Sequence, residues 1–219
     1  MIFSAKLMAR FADRAEAGRS LAPLLAARGF DKPVIFALPR GGVPVALPIA
    51  RALSAPLDLL LVRKLGVPWQ PELGFGAIAE GLEEPLLNQE LIAHAGLSTD
   101  MIAPVLATEK QELARRAVLY LKGRKRLDPK GRNIILVDDG LATGFTARAA
   151  LQALRQRGAA RLVLAVPIAA PESIAALKDV ADEIIAVETE DFHGGISASY
   201  VDFHQISDAE MLGMLASNS

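Results

Sequence analysis

The chain contains no cysteine, and aromatic residues make up only 5% of it, with a single tryptophan, Trp69. The absence of cysteine excludes disulfides, thiolate metal sites and a cysteine nucleophile, and it suits a reducing compartment. Histidine is almost as scarce. His94, His193 and His204 have neither the i, i+4 spacing nor the cysteine companions of a metal site. No apolar run is long. The longest, Leu162 to Ala170, is about half of the ~20 residues a membrane-spanning helix needs. Met1 to Phe11 carries Lys6 and Arg10 and lacks the apolar core of a signal peptide. An excess of one charge is missing too. A net charge of −1 argues against a general nucleic-acid or membrane-surface binder. There is no Gly-x-Ser-x-Gly hydrolase elbow, no Gly-x-Gly-x-x-Gly after a strand and no Lys-Ser/Thr ending of a nucleotide P-loop. A soluble, cytoplasmic protein is expected. With 219 residues, 52% of them hydrophobic, the chain can form one domain over 1–219 with a sizeable core.

What is present centres on Asn133 to Thr146. Ile134 to Val137 are four consecutive apolar residues, which predicts a strand buried on both faces, as in a parallel sheet covered by helices. Asp138 and Asp139 end that strand. Gly140 to Thr146 follows with two glycines and two threonines, and an amphipathic helix over Thr146 to Arg157 comes next. Backbone N–H groups of such a turn and helix start can hold a phosphate, and the helix dipole favours it. The two carboxylates would repel that phosphate. They call for hydroxyl donors or a cation, so a phosphorylated ligand with sugar hydroxyls, Mg²⁺, or both is expected.

Two further strand ends carry charge. Val34 to Leu38 leads into Pro39-Arg40-Gly41-Gly42 and a helix over Val43 to Leu53; adjacent glycines allow close backbone approach, and Arg40 offers a fork of donors to phosphate oxygens. Leu57 to Val62 reads as the next strand, ending in Arg63-Lys64, again at the carboxyl end, where open α/β sheets bind ligands. Gly66 to Gly81 is rich in Pro and Gly and reads as a hairpin or long loop of the kind that serves as a lid. A short helix ending at Gly96 and a long one from Ser98 follow, the second with the stripe Leu106, Leu113, Ala117, Tyr120 and Leu121. Six basic residues in Lys122 to Arg132 read as a solvated connector. Asp13 to Arg28 reads as a surface helix that Pro23 would break or kink. Leu162 to Pro167 and Glu183 to Val187 predict further strands, with a short helix over Pro171 to Val180 between them. The tail holds an aromatic-bearing loop, Asp191 to Phe203, and a helix over Ser207 to Leu215. The repeated strand–helix–strand order predicts a doubly wound, mostly parallel α/β sheet with helices on both faces.

Ile134-Ile-Leu-Val-Asp-Asp-Gly-Leu-Ala-Thr-Gly-Phe-Thr146 resembles the phosphoribosyl-pyrophosphate signature of type I phosphoribosyltransferases. Leu38-Pro-Arg-Gly-Gly42 and Val62-Arg-Lys64 resemble that family's pyrophosphate loop and basic strand end. The likeness spans roughly residues 30 to 190, and within the family it is greatest to predicted bacterial phosphoribosyltransferases of unassigned acceptor. The resemblance implies that Asp138 and Asp139 bind the ribose 2′- and 3′-hydroxyls, and also meet Mg²⁺ indirectly or through the ligand. It implies that Ala142, Thr143, Gly144, Phe145 and Thr146 hold the 5′-phosphate. Arg40, Gly41 and Gly42 would hold Mg-pyrophosphate, helped by Lys64 and Arg63, with a strained or cis peptide near Pro39–Arg40. It further implies a flexible lid with a helical insertion at about 66–128 and a small C-terminal hood at about 189–219, where Phe192 to Phe203 selects the base.

Implied partners are phosphoribosyl pyrophosphate and a small nitrogen acceptor, with no membrane or nucleic acid; a homodimer is left open. The implied reaction moves the 5-phosphoribosyl group to a base or amine and releases pyrophosphate, with Arg40, Lys64, Asp138 and Asp139 as its catalytic set. Two departures bear on the acceptor. Members acting on 6-oxopurines carry Asp at the position of Ala142, and orotate-type members carry basic residues in the lid, where Gly66 to Gly81 has none. Uracil-type members tolerate Ala at that position. The alternatives are a non-catalytic sensor of phosphoribosyl pyrophosphate or nucleotide, and a phosphohydrolase with Asp138 as nucleophile, against which the Thr-Gly loop argues.

Overall fold

A computed structural model describes residues 10–190 and 195–217. The Asp191 to Gly194 part of the expected aromatic loop, most of Met1 to Phe11 and the last two residues of the expected hood lie outside the described residues. Five parallel strands form the central sheet, in the order β2-β1-β6-β7-β8. They are β1 (Val34–Ala37), β2 (Leu57–Leu59), β6 (Asn133–Val137), β7 (Arg161–Ala169) and β8 (Glu183–Thr189). A smaller antiparallel sheet contains β3 (Val62–Val67), β4 (Gln70–Ala79) and β5 (Leu86–Leu87).

The sheet is covered on both faces because its strands are apolar at nearly every position, and pleating sends alternate residues to opposite sides. Ile35, Ala37, Ile135, Val137, Val163 and Ala165 pack into one core with α1 (Arg14–Ala26), α2 (Gly42–Leu53) and α7 (Asp208–Ala216). Their neighbours Val34, Phe36, Ile134, Leu136, Leu162 and Leu164 form a second core under α5 (Phe145–Gln156) and α6 (Pro171–Ala176). Each set buries its side chains almost completely, which at about 25 cal/mol per Å² of apolar surface is the main stabilising term. This is the doubly wound α/β fold the sequence predicts.

The two remaining helices follow their capping residues. Asn88 caps α3 (Gln89–Ala95), and Gly96 ends it in the left-handed region at φ 65°. Ser98 precedes α4 (Thr99–Leu121). The predicted stripe of α4 packs against the cores through Leu106, Leu113, Ala117 and Leu121, with Tyr120 fully buried.

Three expectations need correction. α1 runs through Pro23 without ending there; burial of Leu21, Ala22 and Leu25 on the sheet outweighs the one backbone bond that proline forfeits. The parallel strand over Leu57 ends at Leu59, and Arg63 and Lys64 stand inside β3 rather than at a parallel strand's end. Leu57 to Val62 is uniformly apolar apart from Asp58, so its pattern does not mark where the chain leaves the main sheet. Lastly, the basic connector is not simply solvated. Arg126 turns inward to Asp58, Glu80 and the Leu59 carbonyl, tying the sheet edge to the base of the hairpin.

Candidate active site

β1 and β6 are adjacent and in register, with Ala37 opposite Val137. Parallel pairing therefore brings their carboxyl ends together. The Leu38 N–H donates to the Val137 carbonyl at 2.9 Å, so the Pro39–Gly42 turn leaves beside the acid pair Asp138-Asp139. The peptide between Pro39 and Arg40 is cis, at the position the family resemblance implies. The glycines that follow are dictated by space. A Cβ on Gly41 would lie 2.0 Å from Asp139 Oδ2, and one on Gly42 would lie 2.6 Å from the Val137 carbonyl oxygen. Any side chain at either position would push the turn off the acid pair.

Past the acids, Leu141 N–H donates to the Ile168 carbonyl, and the Leu141 carbonyl accepts from Ala170. The Ser173 hydroxyl bonds to the Ala142 carbonyl. These contacts pin the loop to the end of β7. Gly144 occupies the N-cap of α5 at φ 76°, and no side chain caps that end. The first-turn N–H groups of α5 therefore have neither intrahelical partners nor a capping side chain, which is the arrangement that receives an anion. Asp138, Gly140, Ala142, Thr143, Thr146 and Ile196 are among the residues lining a cleft of about 150 Å³ here.

The two acids differ in environment. Asp139 Oδ2 receives Arg14 Nε at 2.7 Å, and the Asp139 carbonyl receives the Tyr200 hydroxyl at 2.7 Å. Among the described residues Asp138 forms no ion pair; its Oδ1 accepts the Asp139 N–H at 2.9 Å. Burial, reinforced by the charge of Asp139, pushes the Asp138 carboxyl well above the usual carboxylate range, against the opposing pull of that N–H and of Arg14. Burial also raises the Tyr200 phenol, and the Asp139 charge adds to it. Tyr200 therefore stays protonated and donating.

Among the described residues, no three His, Cys, Asp or Glu side chains converge into a metal cage. Two carboxylates at one strand end nevertheless fit Mg²⁺ of the kind that takes one or two protein oxygens and completes its shell with ligand phosphates and water.

Arg40, Gly41 and Gly42 are thus brought to Asp138, Asp139 and the Ala142–Thr146 loop. Arg63 and Lys64 are engaged elsewhere. Arg63 pairs with Glu109 of α4 at 2.6 Å. Lys64 pairs with Glu72 on the opposite arm of the hairpin, at 2.9 Å to its carbonyl and 3.2 Å to its carboxylate. Both line a cleft of about 490 Å³ between the hairpin and α4. The outer half of β4 is exposed and its inner half buried, and Trp69 at the turn is 60% exposed.

Sequence reasoning missed Arg14, Tyr120, Tyr200 and Asp208 as individual site residues. Asp208 Oδ1 meets Arg40 Nη1 at 3.1 Å and accepts the Tyr120 hydroxyl. Two signals were present. Arg14 is the first residue of a helix capped by Asp13, where a cation opposes the helix dipole and needs a carboxylate partner. Ser207-x-x-Glu210 is a capping box, which fixes Asp208 at the first turn of α7.

The chain is similar to several known proteins. A family model described as the phosphoribosyl transferase domain matches residues 14–203. A Mycobacterium tuberculosis H37Rv protein provisionally named a phosphoribosyl transferase is 44% identical over 209 residues, or 95% of this chain and 47% of that protein. This chain therefore spans about half the length of that curated relative. A uracil phosphoribosyltransferase of Oceanobacillus iheyensis is 30% identical over 147 residues, 67% of this chain and 62% of its own length. Among solved structures, TT1426 of Thermus thermophilus superposes with a TM-score of 0.78 at 39% identity, covering 95% of this chain and 98% of that one. With the family model covering most of its length and the fold and strand-end site described above, the chain belongs to the phosphoribosyl transferase domain family.

Proposed function

We propose that the protein transfers the 5-phosphoribosyl group from phosphoribosyl pyrophosphate to a nitrogenous base or amine. The observation that carries this reading is the meeting, at the ends of β1 and β6, of a cationic glycine turn, an acid pair and an uncapped helix start. These three parts are complementary to a diphosphate, ribose hydroxyls and a terminal phosphate. Asp138 and Asp139 accept from the 2′- and 3′-hydroxyls. The α5 N–H groups, Thr143 and Thr146 hold the 5′-phosphate. Arg40, with the backbone of Gly41 and Gly42, holds the diphosphate. Lys64 and Arg63 join from the hairpin if it closes over the site. Mg²⁺, when bound, neutralises diphosphate charge, and Asp138 and Asp139 would hold it together with ligand oxygens.

In the reaction the bond from the anomeric carbon to the diphosphate oxygen breaks and a nitrogen–carbon bond forms. The diphosphate leaves with the bonding pair, and the acceptor nitrogen gives up its proton. The protein's contribution is positioning, plus donors aimed at the departing charge. Ala142 places no carboxylate in the loop, which favours an acceptor other than a 6-oxopurine, and the named uracil enzyme among the relatives points to a pyrimidine-like class. The test is a screen of bases and amines with phosphoribosyl pyrophosphate and Mg²⁺, read as pyrophosphate release. Turnover with at least one acceptor is expected. Tight binding of phosphoribosyl pyrophosphate without turnover across a broad panel would instead support a sensor.

A further inference from the structure

Arg14 is the buried cation of this site, 8% exposed, and it comes from an element that the strand-end motifs do not include. Two of its guanidinium nitrogens donate, and the group lies over an aromatic ring. Nε donates to Asp139 Oδ2 at 2.7 Å, and Nη1 donates to the His204 carbonyl at 3.1 Å. Its flat face lies 3.7 Å from the centroid of Phe203, with the Tyr200 ring at 6.0 Å. Tyr200 in turn stacks between Phe11 and Phe203 at centroid distances of 5.5 and 5.0 Å and donates to the Asp139 carbonyl. The segment carrying these rings is held to the start of α1 by main-chain bonds from Val201 N–H to Phe11 and from Asp202 N–H to Ala12. Asp139 is therefore fixed from three sides: by Arg14, by the Tyr200 hydroxyl and by the Gly41 backbone packed against Oδ2.

We propose that Arg14 is a positioning residue that acts through Asp139. By saturating Oδ2 it orients the carboxylate so that Oδ1 faces the ribose. It also makes that orientation depend on the aromatic segment over Tyr200 and Phe203. This rests on the proposed phosphoribosyl site. A partly buried carboxylate with an unsatisfied oxygen and a free rotamer would bind a sugar hydroxyl poorly, because ordering it would fall to the ligand. A lysine at position 14 would keep the charge but not the fork that reaches both Asp139 and the His204 carbonyl, nor the flat face that stacks on Phe203.

The experiment compares two probes with the full chain, ribose 5-phosphate and inorganic pyrophosphate, each titrated without Mg²⁺, so that no metal held by the acid pair links the two, into wild type, Arg14→Gln, Arg14→Lys, Asp139→Asn and the Arg14→Gln/Asp139→Asn double variant. Arg14→Gln should weaken ribose 5-phosphate about tenfold or more while leaving pyrophosphate within about twofold. Arg14→Lys should fall between. In the Asp139→Asn background, Arg14→Gln should change ribose 5-phosphate affinity by less than about twofold, since the partner it acts through is gone. Equal loss of both probes, or additive losses in the double variant, would overturn the proposal and reduce Arg14 to a fold contact. If Arg14→Gln does not fold, Arg14→Lys decides by the same selectivity. Wild type that binds neither probe would overturn the phosphoribosyl site itself, a result separate from either outcome for Arg14.

Discussion

Asp208, the first residue of α7, and Arg40, in the turn after β1, form a salt bridge with Oδ1 and Nη1 3.1 Å apart. The same carboxylate accepts the Tyr120 hydroxyl from α4, and its Oδ2 lies 3.6 Å from Arg115. The Tyr120 hydrogen bond, then Arg40 and Arg115, hold the Asp208 carboxyl below its ordinary range. An ionised carboxylate thus rests on the cation assigned to the diphosphate. Removing that charge should relieve competition and repulsion worth about 1 kcal/mol at the effective dielectric of a partly buried site. Asp208→Asn is therefore expected to bind inorganic pyrophosphate with Mg²⁺ about fivefold more tightly, as read by calorimetric titration. A weaker affinity would mean that Asp208 serves to orient Arg40.

Gly41→Ala tests the contact between turn and acid pair. The added Cβ would fall 2.0 Å from Asp139 Oδ2, an oxygen that Arg14 keeps from swinging aside. Either the turn or the Arg14–Asp139 pair must give way. The expected cost is about 1–3 kcal/mol of stability, with loss of binding to both ribose 5-phosphate and pyrophosphate. Denaturant unfolding and the two titrations check it; unchanged binding of both would show that the turn tolerates a side chain.

Arg126 tests the connector. Asp58 is 1% exposed, and its carboxylate accepts from the Arg126 side chain and from the Leu127 and Leu59 N–H groups. Arg126→Met would leave that carboxylate buried without its cation, at a cost of about 3–5 kcal/mol. The Asp58→Asn/Arg126→Met double variant should recover part of the loss. Urea unfolding at neutral pH is the measurement, and a loss below about 1 kcal/mol for Arg126→Met would contradict the assignment.

Asp138 gives a pH dependence of defined sign. Its folded carboxyl is raised above the ordinary value of 3.8 by burial and by Asp139. Between 3.8 and that raised value the folded protein holds a proton that the unfolded chain has released. The Asp138 contribution therefore favours the fold at low pH and is lost as pH rises through the window. The stability difference between wild type and Asp138→Asn, followed by denaturant unfolding of the ligand-free protein from about pH 4 upward, should move against wild type as pH increases. A flat difference would contradict the account.

How much of this was legible in the sequence follows from the kind of information each part needs. The buried strand Ile134 to Val137 and its acid pair were readable because an uninterrupted apolar run and two adjacent carboxylates are local features. The helix ends at Gly96 and Ser207 were readable for the same reason. The limits of β2 were not, because Leu60 and Leu61 are as buried as the strand before them and nothing local separates sheet from connector. Arg14, Tyr200 and Asp208 were hidden by distance along the chain. Arg14 meets Asp139 across 125 residues, and Arg40 meets Asp208 across 168. Such pairs exist only once both sheet faces have been covered. Their traces, a cation at a helix start and a capping box, are read as local stabilisers until the partner is known.

The central claim is that one ligand spans the acid pair, the α5 start and the Arg40 turn. Calorimetric titration of phosphoribosyl pyrophosphate with Mg²⁺ tests it most directly, using wild type, Asp139→Asn, Thr143→Ala and Arg40→Gln. The account predicts saturable binding at one site per chain, weakened about tenfold or more by each substitution. It also predicts that pyrophosphate alone loses affinity with Arg40→Gln but not with Thr143→Ala. Phosphoribosyl pyrophosphate affinity unchanged by Asp139→Asn and Thr143→Ala would contradict it.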